Sequence, residues 1–147
     1  MKTPSLNDYL NYNGAHCFRL WASLDNNWVC PGCKRSKFQI MRWTTRFYQK
    51  SDGTRETYKG WMAGLHGHHD HSVDYRSSQP RRFLETIICD QCNAADGAVK
   101  RKLKLDSNFS FSPFEITQFV IPTPHSKHKI NYEIAENIYR YVSTIMH

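Results

Sequence analysis

The chain has 147 residues, 39% of them hydrophobic, which suffices for one domain with a modest core. Twenty Lys and Arg oppose thirteen Asp and Glu, and the resulting formal charge of +7 favours polyanionic partners over neutral metabolites. Charge alone also fits a merely soluble basic domain. No stretch approaches the ~20 apolar residues of a membrane span, and residues 1–27 lack a signal sequence, so we expect a cytoplasmic protein without membrane association.

The first 65 residues predict a short helix or irregular segment followed by a β-hairpin. Residues 1–27 mix aromatic side chains with Asn and Asp, a composition that gives no finer assignment. Residues 38–65 are rich in Thr, Trp, Tyr and Phe around the turn signal Asp52-Gly53, which predicts a hairpin. The alternating positions expected on its two arms are Phe38 and Ile40 on the first, and Trp61, Ala63 and Leu65 on the second.

Basic and aromatic side chains share this predicted hairpin. They are Arg42, Trp43, Arg46, Lys50 and Arg55. Such a mixture could hold DNA, but it also fits an amphipathic sheet with a charged outer face. The sequence leaves both interpretations open.

The middle of the chain predicts a loop, a short strand and a basic helix. Residues 76–82 form the loop, Phe83–Ile88 the strand leading into Cys89, and Ala94–Leu105 a helix capped by Asn93. Candidate phosphate contacts on this helix are Lys100, Arg101, Lys102 and Lys104. Consecutive positions point around a helix, however, as on a solvated charged face.

Two further helices are predicted near the end of the chain. Ser112-Pro113-Phe114-Glu115 has the order of a capping box with Pro at the first helical position, which predicts a helix to about Val120. After Asn131, apolar residues recur at helical spacing, at Ile134, Ile138, Tyr141 and Ile145. They predict a last amphipathic helix with a structural role.

Four cysteines form two C-x-x-C pairs, Cys30-Pro-Gly-Cys33 and Cys89-Asp-Gln-Cys92, called here the cysteine cluster. Thiols are normally reduced in the cytosol, so such pairs indicate metal ligands rather than disulfides. Four thiolates satisfy tetrahedral zinc and leave no position for water, which predicts a structural Zn²⁺ site. Cys17 stands apart, and we expect an inert, partly buried thiol there.

Between the two pairs lies the segment His68-His69-Asp70-His71, called here the histidine run, and Asn93 directly follows the second pair. In an extended strand, His68 and Asp70 would face one way and His69 and His71 the other, so neighbours could divide metal binding from proton transfer. The run could equally consist of exposed polar residues or bind metal adventitiously. Asn93 could be a helix cap alone.

In combination, these motifs resemble the HNH, or ββα-metal, endonucleases, and within them the branch of recombination endonuclease VII. That branch has C-x-x-C, then a metal-binding residue followed by His-Asp-His, then C-x-x-C-Asn. The match covers residues 28–105 of a single domain spanning 1–147, with 106–147 as a helical extension. The resemblance implies an α+β fold containing a ββα-metal core, a four-cysteine zinc site, a β-hairpin insertion and C-terminal helices.

The resemblance also implies residue roles. His69 would be the general base, His68 and Asn93 the ligands of a catalytic Mg²⁺ or Mn²⁺, and His71 an auxiliary residue near the scissile phosphate. His68 stands where the branch usually has Asp, which lowers the negative charge and leaves the preferred metal open.

Two other departures concern the contacts to DNA. The Arg that usually precedes the second cysteine pair is absent, and Glu85 occupies that stretch, so Arg81 or Arg82 would have to contact phosphate. The interval between Cys33 and His68 is long, consistent with a DNA-binding hairpin particular to this chain.

The implied function is divalent-metal-dependent hydrolysis of DNA phosphodiesters by an enzyme of phage or bacterial type, acting in a bacterial cell or an infected host. A non-catalytic zinc-ribbon DNA-binding protein is the alternative, in which His69 would be dispensable. A third interpretation is the same fold acting on RNA. Cleavage of both strands would favour a homodimer.

Overall fold

The computed structural model describes residues 2–71 and 80–145, which form an α+β protein of small antiparallel sheets and helices. The helices are α1 (Leu6–Asn11), α2 (Phe18–Ser23), α3 (Lys37–Ile40), α4 (Asp90–Lys102), α5 (Pro113–Phe119) and α6 (Tyr132–Ile145), with a 3₁₀ turn at Ala15–Cys17. The strands are β1 (Arg42–Gln49), β2 (Arg55–Met62), β3 (Leu65–His68), β4 (Thr86–Cys89), β5 (Val120–Ile121) and β6 (Lys129–Ile130). Within the described residues, no helix is both long and apolar enough to cross a bilayer.

The predicted hairpin is confirmed as β1 and β2, which pair from Arg42 opposite Met62 to Gln49 opposite Arg55. Phe38 and Ile40 were wrongly predicted on its first arm, because they belong to α3. Ser36 caps this helix through a capping box, in which the side chains of Ser36 and Gln39 each accept the backbone N–H of the other residue. These two hydrogen bonds outweigh the β propensity of the segment.

The second arm is also shorter than predicted. It ends at Met62, and Leu65 instead begins β3, which pairs with β4 from Leu65 opposite Cys89 to His68 opposite Thr86. The strand predicted at Phe83–Ile88 is shifted to Thr86–Cys89, the four residues that pair with β3. The predicted loop at 76–82 lies largely outside the described residues.

Helix α4 follows β4 without a loop, which gives the order strand, strand, helix. It begins at Asp90, earlier than predicted, because Cys89 is the N-cap and its sulfur accepts from the backbone N–H of Cys92. Asn93 is therefore the fourth helical residue, and its prediction as the N-cap was wrong. The helix ends at Lys102 rather than Leu105.

The helices α5 and α6 are confirmed, and Ser112 caps α5 through the predicted capping box with Glu115. The core joins the cysteine cluster to apolar residues of β4, α4, α5 and the segment just before α5, namely Ile88, Val99, Phe111, Ile116 and Phe119. Helix α6 buries Ala135 and Val142 instead of the predicted stripe. Ile138 packs against the core, whereas the exposed fractions of Ile134, Tyr141 and Ile145 are 38%, 68% and 65%. The predicted structural role is thus wrong for those three.

Candidate functional site

The cysteine cluster brings both C-x-x-C pairs together in the core. All four sulfurs lie within 4.8 Å of one another, with 3.7 Å between Cys30 and Cys92 and 3.7 Å between Cys33 and Cys89. Tetrahedral zinc with Zn–S bonds of ~2.3 Å separates its sulfurs by about 3.8 Å, whereas a disulfide has ~2.05 Å. The cluster could therefore hold a structural metal such as zinc. Cys17 is half-buried elsewhere, with its sulfur 3.7 Å from the Leu65 carbonyl oxygen.

Backbone turns hold these sulfurs in place. Around the first pair, Cys30 N–H donates to Arg35 O and Lys34 N–H donates to Cys30 O, each at 2.8 Å. The Cys89 N–H donates to the Cys30 sulfur at 3.3 Å, which links the two pairs. A side chain at Gly32 would place its Cβ 2.7 Å from the Cys92 sulfur, so only glycine fits in this turn.

Arg35, which the sequence analysis did not select, lies beside the cluster and is only 4% exposed. Its Nε is 3.2 Å from the Cys33 sulfur, and its Nη1 donates at 3.0 Å to the carbonyls of both Thr123 and Ser126. Burial lowers the pKa of Arg35, but the sulfurs of Cys33 and Cys89 outweigh this and raise the pKa overall. A Zn²⁺ ion held by four thiolates would carry a net charge of about −2, part of which the guanidinium would neutralise. Through its two carbonyl contacts, Arg35 also ties the 123–126 segment to the cluster.

A second neighbour of the cluster comes from far along the chain. His128 Nε2 lies 3.4 Å from the Cys92 sulfur, and the His128 backbone N–H donates to Gln91 Oε1 at 3.3 Å. No sequence spacing predicts this contact, whereas the position of Arg35, two residues after Cys33, was a signal that could have been used.

The histidine run alternates between core and surface, as predicted for an extended segment. His68 and Asp70 are 3% and 0% exposed, whereas His69 is half-buried and His71 is exposed. The rings of His69 and His71 lie side by side, with centroids 4.0 Å apart. Two imidazoles are thus presented together on the outer side.

His68 is fixed on the inner side. Its ring stacks on Phe83 with centroids 5.3 Å apart, and its Nε2 lies 2.6 Å from the Phe111 carbonyl oxygen. Because a carbonyl only accepts, Nε2 must carry a proton, and in the neutral ring Nδ1 then keeps its lone pair. This is the tautomer in which metal-bound histidines are commonly held.

Asp70 and Arg82 support the run from within. The Asp70 carboxylate accepts the backbone N–H of Arg82 at 2.9 Å. The Arg82 guanidinium contacts both carboxylate oxygens of Glu115 at 3.1 Å and donates to Ser110 O at 2.6 Å. Arg82, predicted to contact phosphate, is therefore engaged inside the protein, whereas Arg81 is exposed.

Helix α4 is tied to the histidine run through Phe111. The Phe111 N–H donates to Asp96 Oδ1 at 2.9 Å, while its carbonyl accepts from His68. Asn93, half-buried, precedes Asp96 by three residues and so lies on the same helix face. Asp96 is only 5% exposed, so its carboxylate is buried between α4 and the segment that contains Phe111.

The predicted phosphate contacts of this helix differ in availability. Lys100 Nζ pairs with Asp96 at 2.9 Å and also donates to Phe109 O, so its ammonium group is held by contacts within the protein. Arg101, Lys102 and Lys104 are exposed, and Lys102 Nζ lies 3.9 Å from the centroid of the Tyr132 ring.

Electrostatics at the outer histidines favour the neutral form of His71. Desolvation lowers the pKa of His71 first, and the nearby His69 and Lys100 lower it further, with partial opposition from Asp96. These same influences show that the run and α4 lie within electrostatic reach of each other.

Across residues 2–71 and 80–145, the cysteine cluster is the only group of three or more His, Cys, Asp or Glu residues whose ligand atoms converge. No family model matches the chain, and no curated protein or solved structure matches it either.

Proposed function

We propose that this protein is a divalent-metal-dependent endonuclease that hydrolyses DNA phosphodiester bonds, with His69 as the general base. The observation that carries the proposal is the β3–β4–α4 unit. The histidine run begins at the last residue of β3, Asn93 lies in the first turns of α4, and Cys89 joins β4 to α4 within the cysteine cluster. This is the element order that the resemblance to the HNH endonucleases implies.

The outer histidines supply the proton-transfer chemistry. Hydrolysis requires a base that takes a proton from water as it attacks phosphorus. His69 is half-buried beside His71, and their ring centroids are 4.0 Å apart, so two imidazoles are available together at the outer side of the run. Desolvation, then the neighbouring His69 and Lys100, lower the pKa of His71 and so favour its neutral form.

His68 and Asn93 are the proposed metal ligands. Because His68 Nε2 donates a hydrogen bond to Phe111 O, Nδ1 is the nitrogen that would bind the metal ion, and the Asn93 amide would supply an oxygen ligand. When bound, the ion would neutralise charge on the phosphate and the leaving oxygen. Because an imidazole nitrogen suits Mn²⁺ better than Mg²⁺, we expect higher activity with Mn²⁺.

The decisive experiment compares wild-type protein and His69→Ala on supercoiled plasmid with Mn²⁺ or Mg²⁺, alongside a gel-shift assay. Loss of the base should lower the nicking rate by roughly 10²–10⁴ while DNA affinity stays within about twofold. His66→Ala is the matched control, because His66 lies on β3 but pairs with Asp90 at 3.1 Å. Equal nicking by His69→Ala and wild type would refute the proposal.

A non-catalytic zinc-ribbon DNA-binding protein remains the second candidate, favoured by the closed cysteine cluster and the charge of +7. It predicts a gel shift without nicking by any of the three proteins. Parallel assays on single-stranded and duplex RNA of the same sequence distinguish DNA from RNA as the substrate.

A further inference from the structure

The β1–β2 hairpin projects from the protein as a free ribbon, called here the ribbon (residues 42–62). Its strands have eight residues each, about 27 Å at ~3.4 Å per residue. Every residue from 45 to 55 is exposed. The alternative of an amphipathic sheet covering the core does not apply to this outer half, since neither of its faces is buried.

The root of the ribbon is anchored. Trp43 and Trp61 sit opposite each other in the pairing, with ring centroids 5.2 Å apart, and Trp61 packs against the core. Just beyond β2, Ala63 N–H donates to the Tyr12 hydroxyl at 2.9 Å. The root therefore positions the ribbon relative to the rest of the chain.

The tip is ordered by its own turn. Gly53 has φ of +87°, and its N–H donates to Lys50 O at 3.0 Å. Asp52 Oδ1 accepts from the backbone N–H and the hydroxyl of Thr54 at 2.9 and 2.6 Å. An ordered tip loses little conformational entropy when it binds a partner.

The charge of the ribbon is strongly positive. Five Lys and Arg against Asp52 and Glu56 leave a net charge of +3 over residues 42–62. The Glu56 carboxylate accepts from the Tyr48 hydroxyl at 2.6 Å and also pairs with Lys50. The arginines Arg42 and Arg46 line a groove with His16 at the root.

Aromatic rings lie among these cations in the exposed half. The exposed fractions of Phe47, Tyr48 and Tyr58 are 77%, 48% and 41%. Arg46 and Tyr58 are cross-strand partners, so cation and ring share one face. Exposed rings beside arginines are suited to contact sugars and bases while the guanidinium groups contact phosphates.

We infer that the ribbon is a duplex-DNA-binding element that enters the major groove. A two-stranded β-ribbon fits the groove of B-DNA, which is ~12 Å wide, whereas the major groove of A-form RNA is too narrow. A second copy of this chain does not suit the ribbon as a partner, because two ribbons that each carry a charge of +3 would repel each other. Lysine side chains along the strand edges also disfavour pairing between the strands of two copies. The inference rests on the proposed function for DNA as the partner, but binding by the ribbon does not require cleavage.

Two ribbon variants and one control test the inference. The first replaces residues 45–59 by Asn-Gly, which forms a two-residue turn between the paired Thr44 and Gly60 and retains Trp43 and Trp61. The second is Arg46→Gln with Arg55→Gln. The control, Lys127→Gln with Lys129→Gln, removes the same charge from exposed positions around β6.

Affinity for a labelled 30-base-pair DNA duplex is measured by fluorescence anisotropy between 50 and 200 mM salt. The shortened ribbon should lower affinity at least about tenfold, and Arg46→Gln/Arg55→Gln should reduce the slope of log affinity against log salt by roughly 1.8, at ~0.9 per phosphate contact. The control should bind like wild type. Zinc content and melting temperature verify that each variant is folded.

Two outcomes would overturn the inference. In the first, both ribbon variants bind the DNA duplex as tightly as the control does. In the second, the ribbon variants lose affinity for single-stranded DNA or duplex RNA but not for duplex DNA. The result is separable from that of the proposed function. A ribbon that controls binding in a protein that never nicks DNA leaves the inference intact and refutes the nuclease. Conversely, nicking that depends on His69, together with unchanged DNA binding by the shortened-ribbon variant, would support the nuclease and refute the inference about the ribbon.

Discussion

The cysteine cluster and the histidine run share the β3–β4–α4 unit but differ in what surrounds their donor atoms. The four sulfurs are buried within 4.8 Å of one another, with Arg35 beside them. The histidine run is buried on one side only, and its outer side presents two adjacent imidazoles. A metal site whose ligands are all buried protein sulfurs can stabilise a fold, whereas side chains that are exposed on one side can contact a substrate. The comparison therefore supports a stabilising role for the cysteine cluster, and under the proposed function it leaves the chemistry to the histidine run.

The strongest test of this division is removal of one sulfur. Cys92→Ser should abolish the folded state, because a structural zinc site contributes roughly 10–16 kcal/mol, comparable with the 5–15 kcal/mol stability of a whole domain. Circular dichroism and zinc content per chain measure the effect, with Cys17→Ser as the control. A Cys92→Ser protein that melts at the wild-type temperature would contradict the structural assignment.

The next test concerns the link that Arg35 makes between the cysteine cluster and residues 123–126. Arg35→Met removes a buried cation that links Cys33 to the carbonyls of Thr123 and Ser126, and should cost about 3 kcal/mol in the free energy of unfolding. Urea denaturation with zinc present measures it, and amide exchange should rise at residues 123–126. Lys34→Gln, at an exposed neighbouring cation, is the control. If both variants unfold alike, Arg35 does not link these regions.

A smaller effect is expected inside the histidine run. Asp70→Ala leaves the backbone N–H of Arg82 without its carboxylate acceptor, which should cost about 1–3 kcal/mol. Asp70→Asn retains an acceptor oxygen and should lose less. Thermal melting compares the two variants. Equal losses would mean that the charge of Asp70, rather than its hydrogen bond, supports the run.

The smallest effect concerns pH. The pKa of His71 is lowered by desolvation, then by His69 and Lys100, so the unfolded chain binds this proton more readily than the folded one. The associated stability is fully present above the ordinary histidine pKa of ~6.5 and is lost as pH falls from there through the folded-state value. Histidine NMR titration should place His71 below 6.5, and His71→Gln should flatten this part of the pH–stability curve. A His71 titration at or above 6.5 would contradict the placement.

Local signals in the sequence were read correctly where backbone chemistry is self-contained. Asp52-Gly53 predicted the ribbon turn, and Ser112 with Glu115 predicted the start of α5. The error at Phe38 and Ile40 came from following β propensity past Ser36, whose capping box with Gln39 was visible in the sequence. The predicted start of α4 is about one turn too late, because Cys89 rather than Asn93 is the N-cap.

The sequence by itself determined the donor set of the cysteine cluster and the alternation within the histidine run, because C-x-x-C spacing and strand period are properties of a few adjacent residues. Only the tertiary structure decided that His128 flanks the sulfurs, that Arg82 pairs with Glu115, and that the ribbon stands free. Those contacts join residues distant in sequence or depend on which surfaces pack together, and no local pattern encodes either.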